Sequence, residues 1–303
     1  MSIEEPNFSQ EAAARAAASF GTVGIVGVGL MGGSIGLALK AGGHEARLLG
    51  IGRSAERLQA GVDTGAIDAY ETDFGKGVAQ CDLIILCTTI GHIIDQLPQV
   101  LGAARPDAVV TDIGSTKSAI VEAAGGDPRF VGGHPMCGSE KTGVDAARVD
   151  LYHRATWALT PASTTSEVAV STVTALIEAT GALPLRLDPV VHDTMVALTS
   201  HLPHVMASAL MRQASTLRQE IPDLPRMSAG SFADMTRVAG AAPSIWRDVC
   251  LTNREAVLEA IAGYRRELSI LEAAVDAGDS ESIEAFFTAG ESAKKSWPPR
   301  GGR

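Results

Sequence analysis

Residues 21–40 read G-T-V-G-I-V-G-V-G-L-M-G-G-S-I-G-L-A-L-K. A β-rich run (Val23, Ile25, Val26) meets Gly27, Val28, Gly29, Leu30, Met31 and Gly32, and an apolar helical pattern (Ile35, Leu37, Ala38, Leu39) follows. Strand, glycine turn and helix in that order are what a dinucleotide site requires. Gly27 permits the tight turn, Gly29 lets the backbone approach a pyrophosphate, and Gly32 lets the helix pack close to the strand. The helix N-terminus, at Leu30 and Met31, then faces the phosphates. The stretch is also uncharged from residue 16 to 39, long enough to mimic a membrane span. Seven glycines between residues 21 and 36 argue against a stable helix there. Glu4, Glu5 and Glu11 stand where a secretory leader has its basic region.

At 303 residues the chain has room for two domains of ordinary size. Its net charge of −10 offers no basic face for nucleic acid or an anionic membrane. A chain this acidic that binds anions must gather its few cations locally, so single Arg, Lys and His residues become informative. Cys81, Cys87, Cys137 and Cys250 are scattered, with no C-x-x-C and no metal-ligand spacing. The expectation is free thiols in a reducing cytoplasm and no metal site.

A second strand is expected over 47–52 (R-L-L-G-I-G). About twenty residues beyond Gly32, an NAD-preferring site places an Asp or Glu for the ribose hydroxyls. Gly52 stands there instead, followed by Arg53 and Ser54. Loss of the acid removes repulsion against a 2′-phosphate, and Arg53 supplies a fork to hold one. NADP is therefore expected in preference to NAD. Ser54 is the expected N-cap of a helix over 54–65. Further strands are expected at 82–87, 108–111, 130–133, 156–160 and 183–187, with a helix over 166–180. Ligands of an open α/β sheet sit at the carboxyl ends of its strands, which places Thr88 and Asp112 beside the cofactor. Ser115 in the turn at 112–117 is a candidate for the substrate, or alternatively a helix cap, and Lys117 a candidate cation. Helical periodicity dominates from Pro189, with helices expected over 190–217 (kinked at Pro203), 228–238, 244–275 and 280–293. The expected architecture is α/β: a Rossmann-like doubly wound sheet over 21–188, then an all-helical domain over 189–295. Residues 1–20 are expected to be a flexible extension and 296–303 a disordered tail. The apolar faces of the last helices suggest burial against a second copy.

Four segments carry a family resemblance. D-I-G-S-T-K (112–117), F-V-G-G-H-P-M-C-G-S-E-K-T-G (130–143), S-H-L-P-H (200–204) and F-A-D-M-T-R-V-A (232–239) resemble the prephenate/arogenate dehydrogenases of tyrosine biosynthesis. The resemblance implies oxidative decarboxylation of a cyclohexadienyl acid to 4-hydroxyphenylpyruvate or tyrosine; the cysteine usage and the apolar helix faces point to a cytoplasmic homodimer. A ring hydroxyl is oxidised by hydride transfer to nicotinamide, carbon dioxide leaves, and the ring becomes aromatic. It makes His134 the catalytic histidine that accepts the hydroxyl hydrogen bond, and Ser115 its companion. His204 then faces the substrate with His201 in support, one turn apart on a helix. Arg237 grips a substrate carboxylate, and Glu140 and Asp234 pair with that arginine. Trp246 packs near the substrate pocket or the dimer contact. Asp145, beside Gly143, is the carboxylate that would favour arogenate if it faced the site. Cys137 lies three residues from His134, but a buried inert thiol is the more usual role. Two rivals are a β-hydroxyacid dehydrogenase, whose lysine-centred helix has no counterpart after Asp188, and a non-catalytic NADP-binding sensor. The joint presence of His134, Ser115 and Arg237 argues against the sensor.

Overall fold

The computed structural model describes residues 20–138 and 141–298. Most of the expected N-terminal extension, Glu140 and the last five residues lie outside that range.

Eight strands form one sheet in the order β3-β2-β1-β4-β5-β6-β7-β8. They are β1 (Gly21–Val26), β2 (Ala46–Ile51), β3 (Ala69–Glu71), β4 (Leu83–Leu86), β5 (Val109–Asp112), β6 (Phe130–Pro135), β7 (Thr156–Thr160) and β8 (Leu183–Arg186). All pairs are parallel except β6 with β7, where His134 lies opposite Ala158. β4, Leu-Ile-Ile-Leu, is buried along its whole length, as a strand covered on both faces must be. The strand order reverses between β1 and β4, so the ligand crevice opens at their carboxyl ends. β3 and the short helix α3 (Phe74–Ala79) had no counterpart in the expected pattern. Three residues of strand carry too little periodicity to be read.

Helices α1 (Leu30–Ala41), α2 (Ala55–Asp63), α4 (Ile90–Ala103), α5 (Ser118–Ala123) and α6 (Glu167–Ala179) make the remaining crossovers and cover the sheet. Two apolar clusters hold these layers, one around Ile25, Ile35 and Trp157, the other around Ile84, Ile93 and Leu97. The Tyr152 hydroxyl donates to the Met31 carbonyl at 2.8 Å, anchoring the first turn of α1.

The chain forms two compact units. One runs to Asp193 and takes in Gly240–Thr252; the other comprises Thr194–Ala239 and the residues from Asn253 onward. The expected helix over 244–275 is two, α10 (Pro243–Thr252) and α11 (Arg254–Asp276), broken at Asn253 with φ −118° and ψ 39°. Val249 and Trp246 of α10 join the cluster containing Ile90, Ile93 and Leu97 of α4, which draws that helix to the sheet. The expected helix over 190–217 is α7 (Pro189–Val196), a π-helical turn Ala197–His201, and α8 (Leu202–Glu220). Pro203 has no N–H to continue the α ladder, and the chain widens by a residue just before it. α9 (Gly230–Thr236) and α12 (Ser280–Ser296) complete the described residues, α12 continuing into the tail expected from residue 296. The helical unit leaves Leu258, Leu268, Ile270, Val275 and Phe287 exposed.

Candidate active site

The glycine turn performs three separate tasks. Gly27 has φ +95°, and its N–H donates to the Ile51 carbonyl across the strand ends at 3.1 Å. A side chain there would also meet the Thr88 methyl at 2.9 Å. At Gly32 a Cβ would lie 2.4 Å from the Gly27 carbonyl oxygen, so the third glycine is required for helix and strand to approach. A Cβ at Gly29 would meet nothing within 4 Å, and that open space lies at the start of α1. The first turn of α1 has neither a side-chain cap nor an acidic residue. Leu30 is buried and Met31 half-buried, so what they present to a ligand is backbone N–H. An anionic dinucleotide fits this cradle.

Arg53 is exposed just beyond β2. A Cβ at Gly52 would meet only Leu58, no closer than 3.6 Å, so packing does not forbid an acid there. Ser54 caps α2, its Oγ accepting from the Arg57 N–H at 3.3 Å. That leaves its hydroxyl proton to donate. Thr88 follows β4 at the crevice.

Asp112 requires correction. It is fully buried, with Oδ2 accepting from Lys117 Nζ and the Gly114 N–H, and Oδ1 from the Gly133 N–H. These bonds leave it in the framework, out of reach of a cofactor. Lys117, a candidate cation for ligand, is likewise fully buried, and its Nζ also donates to the Gly133 carbonyl at 2.6 Å. Burial pulls the Lys117 pKa down, against the opposing pull of Asp112 and Asp193. The pair ties the ends of β5 and β6 together, and His134 is the next residue along.

His134 sits in β6 with 9% of its surface exposed. Its Nδ1 lies 2.8 Å from Nε2 of His192, whose Nδ1 lies 2.9 Å from Asp193 Oδ1. His192 and Asp193, both in α7, are almost wholly buried. Asp193 also accepts the backbone N–H of Lys117 at 2.7 Å and of Ser118 at 2.8 Å. It thus satisfies the start of α5, the task considered for Ser115. Ser115 is not a cap; it is half-buried and makes no hydrogen bond among the described residues. Burial would raise the Asp193 carboxyl, but hydrogen bonds from His192, Ser118 and Lys117 hold it below the usual carboxylate range. Burial pushes the Cys137 thiol up to about 12, which makes it a poor nucleophile. No three His, Cys, Asp or Glu side chains among the described residues converge as metal ligands.

In the helical unit His204 is half-buried, and its ring donates to the Val238 carbonyl. Burial lowers its pKa, the Arg237 charge lowers it further, and the Val238 bond opposes both. Arg237 is exposed and opens the short 3₁₀ turn Arg237–Gly240. The expected Asp234–Arg237 pair is not formed, because α9 ends at Thr236 and both side chains are exposed. His201 closes the π-helical turn, is 1% exposed, and its Nδ1 lies 3.2 Å from the Asn253 amide nitrogen. Asp145 lies exposed in the turn Val144–Ala146, and Val144 lines Gly33 of α1.

Two family models match most of the chain. Residues 35–184 match "Prephenate dehydrogenase, nucleotide-binding domain" and residues 188–289 match "Prephenate dehydrogenase, dimerization domain". The chain belongs to the prephenate dehydrogenase family. Within that family it is 33% identical to a prephenate dehydrogenase of Bacillus subtilis, over 92% of this chain and 76% of the relative. The crystal structure of the Aquifex aeolicus prephenate dehydrogenase, in complex with hydroxyphenyl propionate and NAD+, superposes with a TM-score of 0.87 at 31% identity. That match spans 92% of this chain and 99% of the other. An arogenate dehydrogenase structure from Synechocystis gives 0.77 at 26% identity, over 90% and 99% of the two chains. This member of the prephenate dehydrogenase family is therefore an oxidoreductase that works with a nicotinamide dinucleotide. No helix among the described residues is long and apolar enough to cross a membrane.

Sequence reasoning passed over His192 and Asp193. The pair stands among Val190, Val191, Met195 and Val196, a visible polar break in an apolar helical pattern. Nothing in chain order tied it to His134, 58 residues earlier. Trp246 belongs to the sheet unit, half-buried beside the α4 cluster.

Proposed function

We propose that this prephenate dehydrogenase family member oxidises a cyclohexadienyl acid, prephenate or arogenate, with NADP preferred over NAD. The observation that carries the catalytic reading is His134, held at the carboxyl end of β6 by a buried partner, at the same end of the parallel strands as the glycine turn. The bound nicotinamide supplies a hydride acceptor. The chain's own work is to orient the ring hydroxyl, take its proton and hold the anionic groups. His134 accepts the hydroxyl proton, and Ser115, with its side chain uncommitted, shares that hydroxyl. Neutral His204 suits a hydrogen bond to the substrate without drawing a second anion. Arg237 presents a guanidinium fork to a carboxylate. Loss of carbon dioxide and aromatisation then make the step strongly downhill. The Bacillus and Aquifex relatives, both named for prephenate, make it the first substrate to test. The deciding assay sets prephenate or arogenate against NAD or NADP on purified protein.

NADP preference is supported by Gly52 and exposed Arg53. Gly52→Asp is expected to lower the KM for NAD and raise that for NADP, each by about 10–100-fold. That is the range of one hydrogen bond to a charged group, about 1.5–3 kcal/mol. Steady-state kinetics with both dinucleotides check it, and an unchanged ratio would remove the role given to this position. Arg237→Ala is expected to raise substrate KM by about 10–100-fold through loss of a charged fork, with KM for the dinucleotide unchanged. A collapse of dinucleotide affinity instead would put Arg237 in the wrong pocket.

The protein is further proposed to be a homodimer through the helical unit. Its exposed Leu258, Leu268, Ile270 and Phe287 support this, as does the match to a dimerization domain.

A further inference from the structure

We infer that His192 and Asp193 are positioning residues for His134, fixing it in the tautomer that carries its proton on Nδ1 and its lone pair on Nε2. The inference rests on the reading of His134 as the proton acceptor. A carboxylate has no proton to give, so the hydrogen between Asp193 Oδ1 and His192 Nδ1, 2.9 Å apart, belongs to the histidine. In the inferred arrangement His192 is neutral and has only that one N–H, so its Nε2 is an acceptor. That nitrogen lies 2.8 Å from His134 Nδ1, and the hydrogen between them belongs to His134. The lone pair of His134 therefore resides on Nε2. With the opposite arrangement His134 would offer a hydrogen at Nε2 and accept nothing there.

The chain of bonds is anchored at its far end. Asp193 receives the backbone N–H groups of Lys117 and Ser118, which fix its carboxylate at the start of α5. Both rings are buried and meet edge to face, with centroids 5.1 Å apart and planes at 71°, so neither turns without leaving the other. When the substrate O–H bond breaks and the Nε2–H bond forms, His134 becomes a cation. Its Nδ1–H then points through His192 to a carboxylate, which stabilises the new charge without becoming protonated itself. The buried Lys117–Asp112 pair also lies near this chain of bonds, and it is internally compensated.

The test is read without turnover first. In protein with ¹⁵N-labelled histidine and no ligand, near neutral pH, long-range ¹H–¹⁵N correlation separates protonated from unprotonated ring nitrogens. His134 signals are assigned by their loss in His134→Ala. The expected result is His134 protonated at Nδ1 alone; protonation at Nε2 alone overturns the inference. Asp193→Asn allows an amide N–H to face His192 Nδ1, which reverses both tautomers and is expected to lower kcat by about 10²-fold or more. His192→Gln keeps an acceptor for His134 and is expected to stay within about tenfold of wild type, the worth of one neutral hydrogen bond. His192→Leu, which keeps none, is expected to fall with Asp193→Asn. An Asp193→Asn protein with the wild-type tautomer and kcat within about threefold would overturn the inference, since a factor that small is under 1 kcal/mol. If Asp193→Asn does not fold, the wild-type spectrum still decides. Full activity in His134→Ala would remove the acceptor reading, a result distinct from any tautomer.

Discussion

Replacing His134 with alanine is expected to lower kcat by about 10²–10⁴-fold while leaving dinucleotide affinity intact. The size follows from what is removed. A positioned base takes the hydroxyl proton as the hydride departs, and without it water must do so from an unfixed position. The specificity follows from the sheet. The glycine turn follows β1 and Gly52 follows β2, whereas His134 stands on β6, three strands from β1 through β4 and β5. The phosphate end of the site is thus built from different strands and loses no contact. Turnover within about tenfold of wild type, at saturating substrate, would withdraw His134 from the chemistry. Stopped-flow measurement of nucleotide reduction, with dinucleotide affinity determined by titration, separates the two quantities.

Much of this candidate site is legible in the sequence because its signals are local. The turn at Gly27, Gly29 and Gly32 joins a strand to a helix within a few residues, and each glycine has a backbone reason that sequence spacing expresses directly. β1, β2, β4, β5, β6, β7 and β8 are apolar or β-branched runs bounded by turns, and all seven lay within a residue or two of their expected positions. What was not readable depends on distant pairing. Asp112 looked like a ligand at a strand end, and only the position of Lys117 and Gly133 turns its carboxylate inward. His192 and Asp193 gain a role only once β6 and the start of α5 come beside them. The division of the expected helix over 244–275 at Asn253 is similar. Its periodicity continues through the break, and the packing of Val249 with the α4 cluster draws the first half to the sheet unit. Local propensity reads elements well; it does not read which buried charge will meet which.

Lys117→Met is expected to destabilise the protein by about 3–5 kcal/mol, the cost of leaving one member of a buried ion pair without the other. Both side chains are fully buried, so water cannot replace the lost ammonium. Asp112 would retain the N–H groups of Gly114 and Gly133, at 2.7 and 3.0 Å, which compensate only part of its charge. The methionine adds a second loss, because the Gly133 carbonyl is deprived of the Lys117 donor. Set against a total stability of about 5–15 kcal/mol, this is a large fraction, and a fall in Tm of roughly 6–20 °C follows for a unit of this size. A double variant, Asp112→Asn with Lys117→Met, removes the stranded charge while its amide oxygen can still accept a backbone N–H. It is expected to recover a substantial part of the stability lost by Lys117→Met alone. Calorimetry on the wild type, both single variants and the double variant yields the coupling between the two residues directly. Near-additive losses would mean that the pair is screened or relaxed in solution. A strong coupling would mean that this buried contact contributes directly to holding the strand ends that carry His134.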